Sequence, residues 1–166
     1  MSEIAIVVVE DEREVRDAVV RDLSPFARSF RIEAAEDVDD AQNLLAELDG
    51  GGVLTGLILC DHLLPGMLGI DFLIELEAEP KTQGTRKVLL TGQAGLEDTI
   101  RAVNEAKLDY YVAKPWSPED LHEVVKSQLT EFVLASEEDV LPYVSILDGP
   151  RLLDAASQRG WEGRAT

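Results

Sequence analysis

The stretch Ile4–Asp11, with the sequence IAIVVVED, decides the fold class, because an unbroken apolar run ends directly in two acids. A short, β-branched run of this kind is typical of a strand covered on both faces, as in a parallel sheet. Parallel strands all end on one edge, and ligand sites form in the crevice outside their carboxyl ends. Glu10 and Asp11 are therefore candidates for such a site.

Three later apolar runs also end in a polar or charged residue. They are Leu57–Cys60 before Asp61, Val88–Leu90 before Thr91, and Tyr110–Ala113 before Lys114. In a parallel sheet these residues converge on the edge that carries the first acids. Carboxylates, a hydroxyl and an amine gathered there suit a divalent cation and a phosphoryl group. The pattern predicts a phosphorylation switch.

The apolar runs alternate with amphipathic stretches, which is typical of βα units around a parallel sheet. The predicted strands lie near Ile4–Val9, Phe30–Ala35, Leu54–Cys60, Lys87–Thr91 and Tyr110–Ala113. Helices fill the gaps: Ile100 and Val103 mark the fourth, and Ser117-Pro118 caps the fifth. We predict an α/β fold in which a doubly wound, five-stranded parallel sheet carries helices on both faces.

The pattern changes after Ala135. Ser136 and the acids after it indicate a new helix start, and Leu141, Val144 and Leu147 form an apolar stripe. About thirty residues are too few for a second core. We predict a main domain over residues 3–134 and a short helical extension or tail over 135–166. The extension would pack on the main domain, pair with a second copy as in a homodimer, or join to something else, and phosphorylation would loosen or tighten it.

The composition is strongly acidic, with 33 Asp and Glu against 15 Lys and Arg and a net charge of −18. Such a charge repels phosphate backbones and anionic surfaces, which argues against direct nucleic-acid binding and against membrane association.

Ile4–Val9 is much shorter than a secretion signal or a membrane span. The single cysteine, Cys60, falls inside a predicted strand and is interpreted as a small core hydrophobe. We predict a cytoplasmic protein without membrane insertion.

The acids at the predicted edge repel one another, and a cation between them relieves that repulsion. Oxygen ligands of this kind suit Mg²⁺, which is commonly held by one or two carboxylates and a phosphate. One aspartate oxygen then remains available to attack phosphorus, and carboxylates do serve as such nucleophiles. Lys114 and the Thr91 hydroxyl would bind oxygens of the transferred group.

Four motifs carry a resemblance to a known family: VEDE at 9–12, CDHLLPGM at 60–67, LLTG at 89–92 and YYVAKPW at 110–116. Together they are specific, and the chain resembles the receiver domain of bacterial two-component response regulators over about residues 3–134. The resemblance implies a flavodoxin-like sheet.

The resemblance also implies roles for individual residues. Asp61 is then the phosphoacceptor, and Glu10, Asp11, Asp61 and the backbone carbonyl of Leu63 organise Mg²⁺. Glu10 stands where aspartate is more frequent, but its longer side chain still reaches metal-bound water. His62, next to the phosphoacceptor, is interpreted as a variable position.

The remaining implied roles concern the switch. Thr91 is the switch hydroxyl, Tyr111 the switch aromatic and Lys114 the phosphate-binding lysine, and the Lys114-Pro115 bond is typically cis in this family. After phosphorylation, Thr91 moves toward the phosphate and Tyr111 turns inward into the vacated space.

The function implied is that of a response regulator. A sensor histidine kinase or a phosphotransfer protein supplies the phosphoryl group, an unknown output protein is controlled, and catalysis is limited to the chain's own phosphorylation and dephosphorylation. One alternative is the N-terminal regulatory fragment of a larger signalling enzyme. An aspartyl-phosphate phosphatase would need a second acid where Leu63 stands, and a dinucleotide-binding protein would need a glycine-rich turn where Glu10–Arg13 stand.

Overall fold

The computed structural model of the chain describes residues 2–92 and 96–164. Its strands form one five-stranded sheet in the order β2-β1-β3-β4-β5, and every neighbouring pair is parallel. They are β1 (Ile4–Val9), β2 (Arg31–Ala35), β3 (Leu54–Asp61), β4 (Arg86–Thr91) and β5 (Tyr110–Ala113). The predicted flavodoxin-like sheet is confirmed, with strand bounds that shift by one residue at most.

The helices follow the strands in alternation. They are α1 (Arg13–Asp22), α2 (Val38–Gly50), α3 (Gly69–Ala78), α4 (Leu96–Glu105), α5 (Pro118–Ser136) and α6 (Gly149–Arg164). Short 3-10 turns lie at Ser24–Phe26 and Leu141–Tyr143. The predicted cap of α5 is present, because the Ser117 hydroxyl accepts a hydrogen bond from the Asp120 amide at 3.1 Å. Among the described residues, no helix is both long and apolar enough to cross a bilayer.

The unbroken apolar sequence of β1 is explained by burial on both sides of the sheet. Ile4, Ile6 and Val8 belong to the core beneath α1 and α5, whereas Ala5, Val7 and Val9 belong to the core beneath α2 and α3. Successive side chains of a strand point to opposite faces. A central strand between two helical layers therefore has no position for a polar residue until it reaches the edge.

Helix α4 forms where its apolar spacing predicts a helix, but Ile100 and Val103 do not face the core. Ile100 and Val103 are 49% and 53% exposed, whereas Ala102 and Ala106 are buried. Small side chains give α4 few apolar contacts with the sheet. The position of α4 therefore depends more than that of the other helices on polar contacts.

The extension after α5 is helical, as predicted, and it lies on this chain's own domain. Val140, Tyr143, Leu147 and Leu152 join the same buried core as residues of α1 and α5. The ring of Tyr143 stacks on Phe30, with 5.9 Å between the ring centroids. The extension therefore closes the core at the side where β2 begins.

Polar contacts fix the extension along α5. The Asp148 amide donates a hydrogen bond to the Thr130 hydroxyl at 3.1 Å. The Arg159 guanidinium donates to the carbonyl oxygens of Leu134, Glu137 and Glu138 at 2.7, 2.8 and 2.9 Å. The last carbonyls of a helix have no partner within the helix, so a side chain from α6 satisfies the end of α5.

Candidate functional site

The carboxyl ends of β1 and β3 bring three carboxylates together. Oxygens of Glu10, Asp11 and Asp61 all lie within 4.8 Å of one another. Glu10 is 0% exposed and Asp61 is 6% exposed, whereas Asp11 is exposed to solvent. Two buried acids and one exposed acid thus form an open-sided cluster.

Strand pairing places the two buried acids side by side. Val9 pairs with Cys60 in the register of β1 and β3, so the next residue of each strand, Glu10 and Asp61, emerges at the same level. The Glu10 amide donates to the carbonyl of Ala35 at 3.0 Å, and Arg16 donates to the carbonyl of Glu10, also at 3.0 Å. The backbone beneath the acids is therefore held on two sides.

Lys114 bridges the two buried acids. Its Nζ lies 3.2 Å from Glu10 Oε2 and 3.3 Å from Asp61 Oδ1. Its amide donates to the carbonyl of Thr91 at 3.1 Å, and Thr91 itself is 1% exposed. The structure therefore brings Glu10, Asp11, Asp61 and Lys114 into one site and sets Thr91 beside it.

The electrostatics of the site are dominated by excess negative charge. Burial, with the nearby charge of Asp61, raises the pKa of Glu10 to about 7, although Lys114 opposes the shift. Burial lowers the pKa of Lys114, but the attraction of Asp61 and Glu10 outweighs this effect and raises that pKa above its ordinary value. One ammonium group thus faces three carboxylates, and hard oxygen donors with unbalanced charge fit a divalent cation such as Mg²⁺.

The other predicted site residues surround this cluster. Leu63 lies two residues beyond Asp61 with its side chain 58% exposed. Tyr111, on β5, is partly buried and packs against the core on the α2 and α3 side of the sheet. The Lys114-Pro115 peptide bond is cis, as the resemblance implies.

Sequence interpretation missed the surroundings of His62. Its side chain is 3% exposed, and its Nε2 lies 3.2 Å from Asp98 Oδ2 on α4. His122, on α5, is partly buried against Phe26 and contacts the carbonyl of Asp22. A histidine directly after a buried strand is a usable signal, but its partner lies 36 positions further along the chain.

A family model described as the response regulator receiver domain matches residues 6–126. The chain belongs to this receiver family. Receivers act in two-component signalling, bind Mg²⁺ at their acidic pocket and interact with histidine kinases and output domains; they are not enzymes in the metabolic sense. The match to a receiver model does not favour the alternative of an aspartyl-phosphate phosphatase.

Curated relatives are transcriptional regulators by name. The receiver is 35% identical over 136 residues to the phosphate regulon transcriptional regulatory protein PhoB of Escherichia coli, covering 82% of this chain and 56% of PhoB. It is 34% identical over 122 residues to the hydrogenase transcriptional regulatory protein HoxA of Cupriavidus necator, covering 73% of this chain and 23% of HoxA. The chain therefore spans about half of one relative and about a quarter of the other.

Solved structures agree on the fold. A CheY-like response regulator receiver domain protein from Methanospirillum hungatei aligns with a TM-score of 0.67 at 26% identity, covering 80% of this chain and 97% of that one. The signal receiver domain of an HD domain-containing protein from Pseudomonas fluorescens aligns with a TM-score of 0.72 at 24% identity, covering 83% and 95%.

Proposed function

We propose that Asp61 accepts a phosphoryl group from the phosphohistidine of a sensor histidine kinase or a phosphotransfer protein, with Mg²⁺ as the cofactor. The observation that carries this proposal is the bridge of Lys114 between Asp61 and Glu10. It sets a fixed positive charge beside a nearly buried carboxylate at the edge where receivers bind their metal. A nucleophile and a charge that stabilises the transferred group then lie within one hydrogen bond of each other.

In the proposed transfer, an Asp61 oxygen forms the bond to phosphorus while the bond from phosphorus to the donor imidazole nitrogen breaks. The imidazole leaves with the electron pair of that bond. Glu10, Asp11, Asp61 and the backbone carbonyl of Leu63 would hold Mg²⁺, which when bound neutralises charge on the phosphoryl oxygens. Lys114 exchanges its bond to the carboxylate for one to a phosphoryl oxygen.

The proposed readout involves the two strands at the edge of the sheet. The Thr91 hydroxyl, at the end of β4, binds a phosphoryl oxygen, and Tyr111 on β5 turns inward. Support comes from the pairing of these strands, in which Thr91 lies opposite Ala113 and Leu89 opposite Tyr111. A shift at Thr91 therefore acts directly on the strand that carries the aromatic ring.

The proposal extends to the setting of the site. The receiver catalyses only its own phosphorylation and dephosphorylation, works in the cytoplasm and does not itself contact nucleic acid. Its buried cysteine, Cys60, is a free thiol, which suits a reducing compartment. We assign residues 3–134 to the receiver domain and 135–166 to the extension. An output partner would recognise the face around Thr91 and Tyr111.

Labelling with acetyl phosphate and Mg²⁺ tests the proposal. By intact mass, the wild type should gain one phosphoryl group that is stable to acid and labile to base, whereas Asp61→Asn should gain none. Asp39→Asn, which alters an exposed aspartate on α2, serves as the matched control and should be labelled like the wild type. Equal labelling of the wild type and Asp61→Asn would refute the assignment of Asp61.

A further inference from the structure

The contact between His62 and Asp98 joins the residue after the proposed phosphoacceptor to α4. The imidazole is nearly fully buried, and Asp98 provides its one hydrogen bond among the described residues, because Nδ1 is buried without a partner. A buried polar group with a single partner loses its only compensation for desolvation if that partner moves away. The ring therefore opposes displacement of Asp98.

The backbone on the His62 side of this contact is held rigidly. The carbonyl of His62 accepts a hydrogen bond from the Gly69 amide at 2.7 Å. A Cβ at Gly69 would lie 2.0 Å from the carbonyl oxygen of Asp61, so the start of α3 packs directly on the backbone of the site. The imidazole thus extends from a fixed platform formed by β3 and α3.

The Asp98 side of the contact lies on α4, whose Ile100 and Val103 are about half exposed. The other carboxylate oxygen of Asp98 lies 3.6 Å from the Arg101 guanidinium, which also pairs with Asp71 on α3. Ala102 of α4 and Ala106 just after it are small buried residues, so these polar contacts contribute much to the attachment of the helix. This helix also follows Thr91 in the chain.

We infer that the His62–Asp98 hydrogen bond is a latch that holds α4 in the conformation of this structure and that phosphorylation of Asp61 weakens it. His62 is a positioning residue in this account, since it acts through α4 and does not touch the reacting atoms. The coupling to phosphorylation rests on the proposed function. A contact that favours one position of α4 opposes any state in which α4 takes a different position. If phosphorylation weakens the contact, the contact must in turn disfavour phosphorylation.

The test measures amide hydrogen exchange of residues 96–105 and the rate of labelling by acetyl phosphate, with full-length protein in Mg²⁺. His62→Ala and Asp98→Ala should each increase both the exchange rate and the labelling rate by about two- to tenfold. This is the range that one net hydrogen bond contributes to an equilibrium. The double variant should show no further increase. Asp98→Asn keeps an oxygen acceptor and should restore wild-type behaviour.

Glu105→Ala is the matched control, because it removes an exposed carboxylate from the same helix. It should leave both measurements unchanged. Unchanged exchange of α4 in His62→Ala and Asp98→Ala would overturn the latch. Faster exchange with an unchanged labelling rate would overturn its coupling to phosphorylation. If the wild-type protein gains no phosphoryl group, the proposed function and this coupling are both contradicted. Exchange of α4 in the unlabelled proteins then still decides whether the latch exists.

Discussion

At the carboxyl end of the sheet the receiver buries charge, whereas beside the amino ends of β1 and β2 the extension buries apolar surface. Glu10 and Asp61 share one ammonium group at the first end. At the second end, Tyr143 stacks on Phe30 and Arg159 satisfies the carbonyls that end α5. The first region carries excess negative charge, whereas the Arg159 guanidinium of the second has its acceptors within the chain. The extension therefore stabilises the folded state, whereas the repulsion among the buried acids at the carboxyl edge destabilises it.

The largest effect should come from Tyr143→Ala. Truncation of a large, fully buried aromatic side chain costs about 3–5 kcal/mol, so the midpoint of urea denaturation should fall markedly. Leu141→Ala, at a 54% exposed residue of the same segment, is the control and should change stability by no more than about 0.5 kcal/mol. Equal effects of the two changes would show that the extension does not belong to the core.

Magnesium should stabilise the acidic end. At a Mg²⁺ concentration about 100 times Kd, the gain in the free energy of unfolding should be about 2.7 kcal/mol. Asp11→Ala should remove most of this gain. It should also raise the melting temperature of the metal-free protein, since it relieves repulsion among the acids. Glu10→Gln should weaken Mg²⁺ binding less than Asp11→Ala does. Glu138→Ala, which removes an exposed acid at the extension, should respond to Mg²⁺ like the wild type. A melting temperature that falls in metal-free Asp11→Ala would contradict this account.

The pH dependence of stability should reveal Glu10. Its pKa is raised from 4.5 to about 7 in the folded state, so between these values the folded protein retains a proton that the unfolded chain has lost. Without metal, the Glu10 contribution to stability is therefore present below about pH 4.5 and is lost as the pH rises through about 7. The loss is at most on the order of 3 kcal/mol, because the pKa rises from 4.5 to about 7 and one pKa unit corresponds to about 1.4 kcal/mol. Glu10→Gln should flatten the curve in this window, and an unchanged slope would mean that Glu10 titrates normally.

Arg159→Ala should have the smallest effect of the four, about 1–2 kcal/mol, because hydrogen bonds from a charged group to the end of α5 are lost at a partly exposed position. The control is Arg151→Ala, also on α6, which breaks an exposed ion pair with Glu131 of α5. This change should cost less than about 1 kcal/mol of stability. Hydrogen exchange near residues 134–138 should rise only in Arg159→Ala. Equal exchange in both variants would show that the contacts of Arg159 do not secure α5.

Much of the fold could be predicted because the apolar patterns are strong and local. The five runs that end at the sheet edge set the strands, and the helical spacing between them sets the layers. The composition of the site was equally accessible, since Glu10, Asp61, Thr91 and Lys114 each lie at the carboxyl end of a strand or one residue beyond it. The boundary between receiver and extension stays a prediction, and α5 continues across it to Ser136.

Sequence periodicity by itself determined which segments form strands and helices and which groups collect at the carboxyl edge. Only the tertiary structure decided which groups touch. Lys114 meets Glu10 across 104 positions of the chain, His62 meets Asp98 across 36, and Tyr143 of the extension stacks on Phe30, just before β2. The physical reason is that local backbone preference and periodicity are properties of a short segment. A buried ion pair, a single hydrogen bond or a ring stack depends on how separate segments pack, and no segment carries that information alone.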